Sequence, residues 1–198
     1  MFDLSKIEHG VKDRPFRMIL CGTEKIGKSE FASQSQNPLI VPVKGEEGVD
    51  ALDVAKTPIV NTFSDIMEII AALYENQHEY QTLVIDSVST LEPLIWDAVC
   101  SEHNKSKIED IGYAKGYIDA LYFWRDITEG LDALRKDRNM ASILIGHVNV
   151  KTFSDPLTDP YDQYIISLHY KAADLLYRWA DLILFANSKV YTKETKTG

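Results

Sequence analysis

The sequence is poor in cysteine, with only Cys21 and Cys100 among its 198 residues. Two isolated thiols supply neither a disulfide framework nor the paired spacing of a metal site, so both are expected to be reduced and buried. The chain has no run of 18 apolar residues, and the N-terminal stretch MFDLSKIEHGVKDR lacks the apolar centre of a secretory signal. These absences predict a cytoplasmic protein that makes no membrane contact.

Basic residues are also scarce, since 21 Lys and Arg stand against 30 Asp and Glu and leave a net charge of −9. This balance argues against a protein that binds nucleic acid with its whole surface, although a local basic loop remains compatible with it. Internal repeats and Gly/Ser-rich linkers are absent, so residues 1–198 are expected to form one domain. Residues 1–14 are interpreted as an N-terminal extension. Residues 188–198 are interpreted as the start of a truncated or flexible segment, because the polar alternation at Lys189–Thr192 is typical of a hairpin arm.

Short apolar runs alternate with stretches of helical spacing along the chain. The runs are Arg17–Cys21, Pro38–Val43, Thr82–Ile85, Ala141–Val148 and Asp181–Phe185. They are continuous in apolar residues, as expected for parallel strands covered on both faces. Helical apolar faces span residues 66–73, 91–99, 118–134 and 168–179, and Ser64 is expected to cap the first of these helices. The alternation predicts an α/β fold, with a mainly parallel five-stranded sheet sandwiched by helices.

The stretch Gly22-Thr23-Glu24-Lys25-Ile26-Gly27-Lys28-Ser29 fits the P-loop pattern G-x-x-x-x-G-K-[ST], and it lies between a predicted strand and a predicted helix over Lys28–Ser35. Glycine lets the main chain turn tightly and approach phosphate closely, while the positive end of the helix faces the anion. We therefore predict that residues 22–30, through Glu30, bind ATP. Lys28 is expected to contact the β- and γ-phosphates, and Ser29 is expected to bind Mg²⁺.

A second acid for the magnesium shell is supplied by the stretch TLVIDS, in which four apolar residues end at Asp86. A carboxylate at the carboxyl end of a parallel strand faces the same crevice as the P-loop, so Asp86 is predicted to complete the metal site. Many ATPases place the water-activating glutamate directly after this aspartate, but here that position is Ser87. The catalytic base must therefore lie elsewhere, and Glu46 and Glu47 at the end of the second predicted strand are the candidates.

These motifs resemble the RecA/RadA-like core ATPases, which carry the catalytic glutamate at the end of the second strand. In that family the fourth strand lies between the P-loop strand and the strand that ends in the metal-binding aspartate, called the Walker B strand, which corresponds to TLVID here. The stretches HEYQTLVIDSVSTLEPLIW, IEDIGYAKGY and ILIGHVNVKTFSDP further resemble the RecA-like, AAA-type ATP-binding proteins of bacteriophages, a group that includes single-strand-annealing recombinases. The resemblance extends to Asn187; relatives usually continue into a strand-rich basic end. It implies ATP and Mg²⁺ as cofactors, a homo-oligomer, and His147 as a polar sensor beside the γ-phosphate. Glu46 and Glu47 are not separated by the sequence.

Two stretches have a composition compatible with single-stranded DNA, in which bases stack on aromatic rings and lysine meets phosphate. The first, Val148–Ile165, is expected to be a loop that carries Lys151, Phe153, Tyr161 and Tyr164, although Asp155, Asp159 and Asp162 oppose binding. The second is the stretch SEHNKSKIEDIGYAKGY, with Lys105, Lys107 and Tyr113 among its residues. An ordinary surface loop explains either composition as well.

The sequence therefore predicts an ATP-hydrolysing phage protein of DNA recombination or replication that couples ATP·Mg²⁺ to single-stranded DNA. The alternative, which the acidic net charge favours, is a nucleotide-dependent adaptor with little hydrolysis that recruits a partner such as a single-strand-binding protein. A small-molecule kinase fits less well, because the lid with paired arginines used by such kinases is not visible. Candidates for an arginine finger are Arg125, Arg135, Arg138 and Arg178.

Overall fold

A computed structural model of the protein describes residues 3–7, 9–10, 12–46, 48–157 and 159–189. Within these residues, seven strands form one sheet that is accompanied by five α-helices. The strands are β1 (Arg17–Gly22), β2 (Pro38–Pro42), β3 (Ala55–Lys56), β4 (Thr82–Asp86), β5 (Ala141–Phe153), β6 (Tyr161–Ile166) and β7 (Leu182–Ala186). The helices are α1 (Lys28–Ser33), α2 (Phe63–Glu75), α3 (Val88–Glu102), α4 (Lys115–Asp137) and α5 (Tyr170–Trp179).

The sheet has the order β3-β2-β4-β5-β1-β7, and every pair along this path is parallel. All five predicted strands are present, and β5 lies between β1 and β4, as the resemblance to RecA-like ATPases implied. The α/β prediction is therefore confirmed. The predicted count of five strands is too low, because it omits β3 and β6.

Both additional strands depend on pairing that the local sequence does not reveal. Strand β3 has only two residues, both exposed, and it pairs with β2 at the sheet edge. Strand β6 has the mixed sequence YDQYII and pairs antiparallel with the far half of β5. Neither segment has the continuous apolar run that identified the other strands.

The two faces of the sheet are covered unequally. Helices α2, α3, α4 and α5 pack on one face around a large core that includes the fully buried Trp124, Leu91 and Ile19. The other face has a smaller core of eight buried residues, to which α1 contributes Ala32. Helices thus cover both faces, as predicted, but one short helix serves the face that adjoins the P-loop.

Helix α2 begins two residues earlier than predicted from the sequence. Thr62, rather than Ser64, is the N-cap of α2: its side chain accepts a hydrogen bond from the Asp65 backbone, and the Asp65 carboxylate accepts one from the Thr62 backbone. The reciprocal pair is a capping box, which outcompetes a lone serine because it satisfies two free N–H groups at once. Ser64 instead donates to Glu68 within the helix.

Two stretches of the sequence were interpreted as terminal segments. A 3-10 turn at Leu4–Lys6 lies within the stretch interpreted as an N-terminal extension. In the segment interpreted as a hairpin arm, Lys189 is described, whereas residues 190–192 fall outside the described residues. No helix in the described part is long and apolar enough to cross a membrane.

Candidate active site

The P-loop connects the carboxyl end of β1 to the first turn of α1, and both of its glycines have a steric reason. A Cβ on Gly22 would lie 2.6 Å from the Ala186 carbonyl oxygen, because β1 and β7 approach closely there. Gly27 has φ +96° and is the N-cap of α1, a conformation that disfavours residues with a Cβ. These two positions let the loop curl back over the start of the helix.

Lys28, the first residue of α1, is buried beneath this loop. Its Nζ donates hydrogen bonds to the carbonyl oxygens of Gly22 at 3.1 Å and Thr23 at 2.8 Å. Burial lowers the pKa of the ammonium, and the nearby carboxylates of Asp86 and Glu46 partly offset this effect. An ammonium group has three N–H donors, so the group that braces the loop retains a donor for an anion held by the same loop.

Ser29 and Asp86 form the pair of oxygen ligands expected for a magnesium ion. The Ser29 hydroxyl donates to Asp86 Oδ2 at 2.5 Å, and Asp86 is 3% exposed at the end of β4. Burial raises the pKa of Asp86, the hydrogen bond from Ser29 opposes this, and the charge of Glu46 raises the pKa further. A bound cation would relieve this charge crowding. One hydroxyl and one carboxylate fit Mg²⁺, which binds few protein oxygens and completes its shell with phosphate and water.

Glu46 lies in the turn after β2 and points towards the same region. Its Oε1 accepts hydrogen bonds from Ser87 Oγ at 2.7 Å and from His147 Nε2 at 2.6 Å. Burial alone would raise the pKa of Glu46, but these two hydrogen bonds outweigh burial and lower it. Glu46 is therefore an anion poised beside the P-loop. Glu47, the other candidate base, falls outside the described residues.

His147 occupies the place in β5 that faces the start of the P-loop, since it pairs with Gly22 across the parallel β1–β5 register. The sequence predicted that this strand ends near His147, but β5 continues six residues further, to Phe153. Together with Lys28, Ser29, Asp86 and Glu46, His147 lines a cleft of about 600 Å³. The remaining lining residues are Glu24, Lys25, Gly27, Glu30, Gly45, Gly48, Leu52 and Thr90.

The segment Val148–Ile165 is a β-hairpin and not the loop expected from the sequence. It consists of the far half of β5 and the antiparallel strand β6, with Phe153 paired to Tyr161 and Val150 to Tyr164. The expectation failed because both strands are largely exposed, so their residues lack the apolar run of a buried strand. Alternation places Lys151, Phe153 and Tyr161 on one face of the hairpin.

Tyr164 is separated from the other three proposed DNA-binding residues. It shares the opposite face with Val150, and its ring centroid lies 4.9 Å from that of Phe185 on β7. Asp162 is on this opposite face too, where it accepts a hydrogen bond from Thr152. The three aromatic residues named from the sequence are therefore divided between two faces, and Asp162 lies on the face opposite Lys151.

In the second candidate DNA-binding stretch and among the candidate arginine fingers, Tyr117, Arg135 and Arg138 have contacts within the chain. Tyr117 stacks on His169 with ring centroids 4.4 Å apart and donates to Glu109, whereas Tyr113 is fully exposed. Arg135 donates to the Pro15 carbonyl oxygen and pairs with Asp181, while Arg138 bonds to the Tyr74 carbonyl oxygen. Arg135 and Arg138 thus join elements within the chain rather than reach its P-loop.

Two residues support the site without having been assigned a role from the sequence: Ser87, the N-cap of α3, and Ser89 within this helix. Ser87 bonds to Glu46, and Ser89 Oγ accepts the His147 backbone N–H at 3.0 Å. Further along α3, Glu92 accepts the His169 backbone N–H at 2.8 Å, away from the cleft. A role in the site could have been predicted from the position of Ser87 and Ser89 directly after the Walker B strand, because the first turn of a helix that starts there lies beside the ends of the neighbouring strands. Sequence alone does not show which partner each side chain meets.

A parallel sheet with a P-loop after β1 and a buried aspartate at the end of β4 defines a P-loop nucleotide-binding domain of the RecA-like strand order. Residues 14–198 match the model of the family described as AAA domain, and the chain belongs to that family. Over 93 residues the chain is 24% identical to the SPbeta prophage-derived uncharacterized protein YorG of Bacillus subtilis (strain 168), covering 45% of this chain and 28% of that protein. A crystal structure of the RadB recombinase aligns with a TM-score of 0.48 and 13% identity, covering 87% of this chain and 74% of that chain.

Proposed function

We propose that the protein binds ATP with Mg²⁺, hydrolyses it, and couples hydrolysis to single-stranded DNA in phage recombination or replication. The observation that carries this proposal is the convergence of Lys28, the Ser29–Asp86 pair and Glu46 on one cleft beside the P-loop. The P-loop and the N-terminus of α1 offer backbone N–H groups to a triphosphate. The domain, residues 1–198, acts in this proposal as one ATPase unit in the cytoplasm of a bacterial host.

Glu46 is the base of the proposed reaction. Its carboxylate takes a proton from a water molecule while the water oxygen bonds to the γ-phosphorus and the bond from that phosphorus to the β–γ bridging oxygen breaks. The products are ADP and inorganic phosphate. Lys28 stabilises the charge that develops on the phosphate oxygens, because its ammonium group lies beneath the loop that holds them. His147 lies within hydrogen-bonding reach of Glu46 and, in this proposal, responds to the change of charge on the phosphate oxygens.

The Ser29 hydroxyl and the Asp86 carboxylate would hold Mg²⁺, which when bound neutralises charge on the β- and γ-phosphates. Asp86 is buried, so its charge is strongly felt in the cleft. Asp86→Asn should therefore raise the Mg²⁺ concentration needed for half-maximal turnover. It should have a smaller effect on nucleotide affinity measured without Mg²⁺.

Single-stranded DNA is the proposed polymer, and the face of the hairpin with Lys151, Phe153 and Tyr161 is its proposed site. These three residues are exposed, and the two rings lie 5.4 Å apart between centroids. The other residues of this face, Asn149, Gln163 and Ile165, carry no charge. A surface with one lysine, two aromatic rings and no other charge fits a DNA strand held by base stacking and a single phosphate contact. A homo-oligomer, which is part of this proposal, would place several such surfaces along one strand.

The test is ATP turnover with and without oligothymidylate, for wild type and for Lys28→Ala. The expected result is turnover that oligothymidylate stimulates in the wild type and that Lys28→Ala abolishes. Lys136→Ala serves as the charge-matched control, because Lys136 is exposed in the last turn of α4. Turnover that survives in Lys28→Ala would contradict the assignment of the cleft.

The second candidate function is an adaptor that binds nucleotide and recruits a protein such as a single-strand-binding protein. It is favoured by the net charge of −9, which opposes direct DNA binding by the rest of the surface. ATP binding without measurable turnover, together with no oligothymidylate binding at low salt, would support the adaptor over the enzyme.

A further inference from the structure

Strand β7 is the last strand at one edge of the sheet, and its sequence Leu-Ile-Leu-Phe-Ala contains neither a charged residue nor a proline. Within the described residues it pairs with β1 on one side and with no strand on the other. Its first four side chains are large and apolar, and between 38% and 51% of each is exposed. Such an edge offers unpaired backbone N–H and C=O groups beside apolar side chains, which suits it to pair with a further strand.

The opposite edge of the sheet is built differently. Strand β3 at that edge has only two residues, and one of them is Lys56, whose Nζ lies 3.7 Å from a carboxylate oxygen of Asp50. Short length and a charged residue are two of the features with which proteins prevent a sheet edge from pairing with another chain. Strand β7 has neither feature, so the two edges differ in their capacity to bind a partner.

The apolar surface continues from β7 onto the hairpin. Ile183 and Phe185 lie on the sheet face of the larger core, because their partners in β1 belong to that core. The ring of Tyr164 lies 4.9 Å from that of Phe185 between centroids, and the exposed Val150 pairs with Tyr164 across the hairpin. A stable interface buries about 800 Å² on each partner, which is more than a five-residue strand provides. The hairpin residues supply apolar area that β7 alone lacks.

The sequence of β7 is complementary to itself. When two β7 strands pair antiparallel about Leu184, this residue faces its own counterpart, and Ile183 of each copy faces Phe185 of the other. An aromatic side chain opposite a β-branched one is a favourable cross-strand pair. The nearest charge along the chain, Asp181, pairs with two arginines of its own chain. The paired strands would therefore place apolar residues opposite apolar residues and bring no unpaired charge between them.

We propose that two copies of the chain associate through their β7 strands, which pair antiparallel and join the two sheets into one. The two-fold axis passes between the two Leu184 residues, in keeping with the symmetry of most dimers of identical subunits. Tyr164 of each copy then lies beside the contact between its own Phe185 and Ile183 of the other copy. This inference gives the homo-oligomer of the proposed function an interface, and it requires neither ATP nor DNA.

The experiment measures molecular mass against protein concentration by analytical ultracentrifugation, without nucleotide or DNA, for wild type, Leu184→Lys and Leu184→Glu. The wild type should form a dimer that dissociates on dilution. Either variant alone should weaken association at least about a hundredfold, because two like charges meet at the axis and lose water. An equimolar mixture of the two variants should form a dimer again, because lysine then faces glutamate. This rescue would also show that each variant is folded.

Two further variants complete the series. Ile59→Lys makes the same kind of change at a residue that is 45% exposed and follows β3 at the opposite edge, so it should leave the mass of the wild type unchanged. Ile183→Thr keeps a β-branched side chain and removes apolar contact from both symmetric pairs with Phe185. It should weaken the dimer about tenfold.

Several outcomes overturn the inference. A wild type that stays monomeric at every concentration refutes it, and protection of the β7 amides from hydrogen exchange in that monomer would show that the same chain covers its own edge. A dimer that persists in both Leu184 variants, or in Ile183→Thr with unchanged affinity, forms through another surface. Folded Leu184 variants that do not associate when mixed refute the pairing about Leu184. A wild type that dimerises but does not hydrolyse ATP would leave this interface standing while the proposed function fails.

Discussion

The two faces of the hairpin give a prediction that the sequence could not make. Phe153 and Tyr161 share the face of Lys151, whereas Tyr164 lies on the other face against Phe185. Stacking of one base on an aromatic ring contributes about 1–3 kcal/mol. The two rings are close enough to serve one or two adjacent bases, so removing both should cost about 2 kcal/mol and weaken binding roughly 30-fold.

The assay is a titration of labelled oligothymidylate with ATP present, at several salt concentrations, for Phe153→Ala/Tyr161→Ala and for Tyr164→Ala. The double variant should lose affinity roughly 30-fold, whereas Tyr164→Ala should lose at most about a twofold factor. One lysine on the binding face implies a shallow dependence on salt, with a slope of about −0.7 for each phosphate neutralised by one protomer. An equal loss in the two variants would refute the assignment of faces, and binding by neither variant nor wild type would refute the DNA site.

Three further predictions concern the cleft and the core beside it. Lys28→Ala should weaken ATP binding at least about a hundredfold in equilibrium titration, because charge-assisted bonds to two phosphates are lost, while Lys136→Ala should not. Glu46→Gln should retain ATP affinity and lose about a hundredfold or more in kcat, and a variant with normal turnover would exclude Glu46 as the base. Burial raises the pKa of Glu92 to about 7, above its value in the unfolded chain, so its contribution to stability is present below about pH 4.5 and is lost as the pH rises through 7. Glu92→Gln should therefore flatten the fall in Tm of the wild type between these pH values, and parallel curves would show that Glu92 does not titrate there.

The P-loop and the Walker B aspartate were predictable because each is a local pattern with a local structural consequence. A Cβ on Gly22 would collide with β7, Gly27 has a left-handed backbone conformation, and the apolar residues before Asp86 specify a buried strand. Five strands followed from the same logic. The place of the fourth predicted strand, between the P-loop strand and the strand of Asp86, followed from the resemblance to RecA-like proteins rather than from the runs themselves, since apolar runs identify strands and not their neighbours.

The hairpin was not predictable, because its stability comes from pairing and not from burial. Strand β6 has polar residues at Asp162 and Gln163, and its register with β5 follows from contacts that begin at Val148 and Ile166 in the core. A segment of mixed polarity rich in Asp and Pro, such as residues 154–160, is equally typical of a surface loop. The division of the aromatic residues between two faces depends entirely on that register.

The position of Glu46, the proposed base, follows from the sheet. In the parallel β2–β4 pair, Pro42 is in register with Asp86, and the Val43 N–H donates to the Asp86 carbonyl oxygen at 2.7 Å. Residues that follow the end of β2 therefore lie beside residues that follow the end of β4. An acid four residues after Pro42 reaches the region that an acid directly after Asp86 would occupy, and the Ser87 hydroxyl confirms the proximity by bonding to Glu46. Because the second strand supplies the carboxylate, the position after Asp86 is free to hold a hydroxyl that orients it, and the same neighbour relation brings His147 of β5 to its other side.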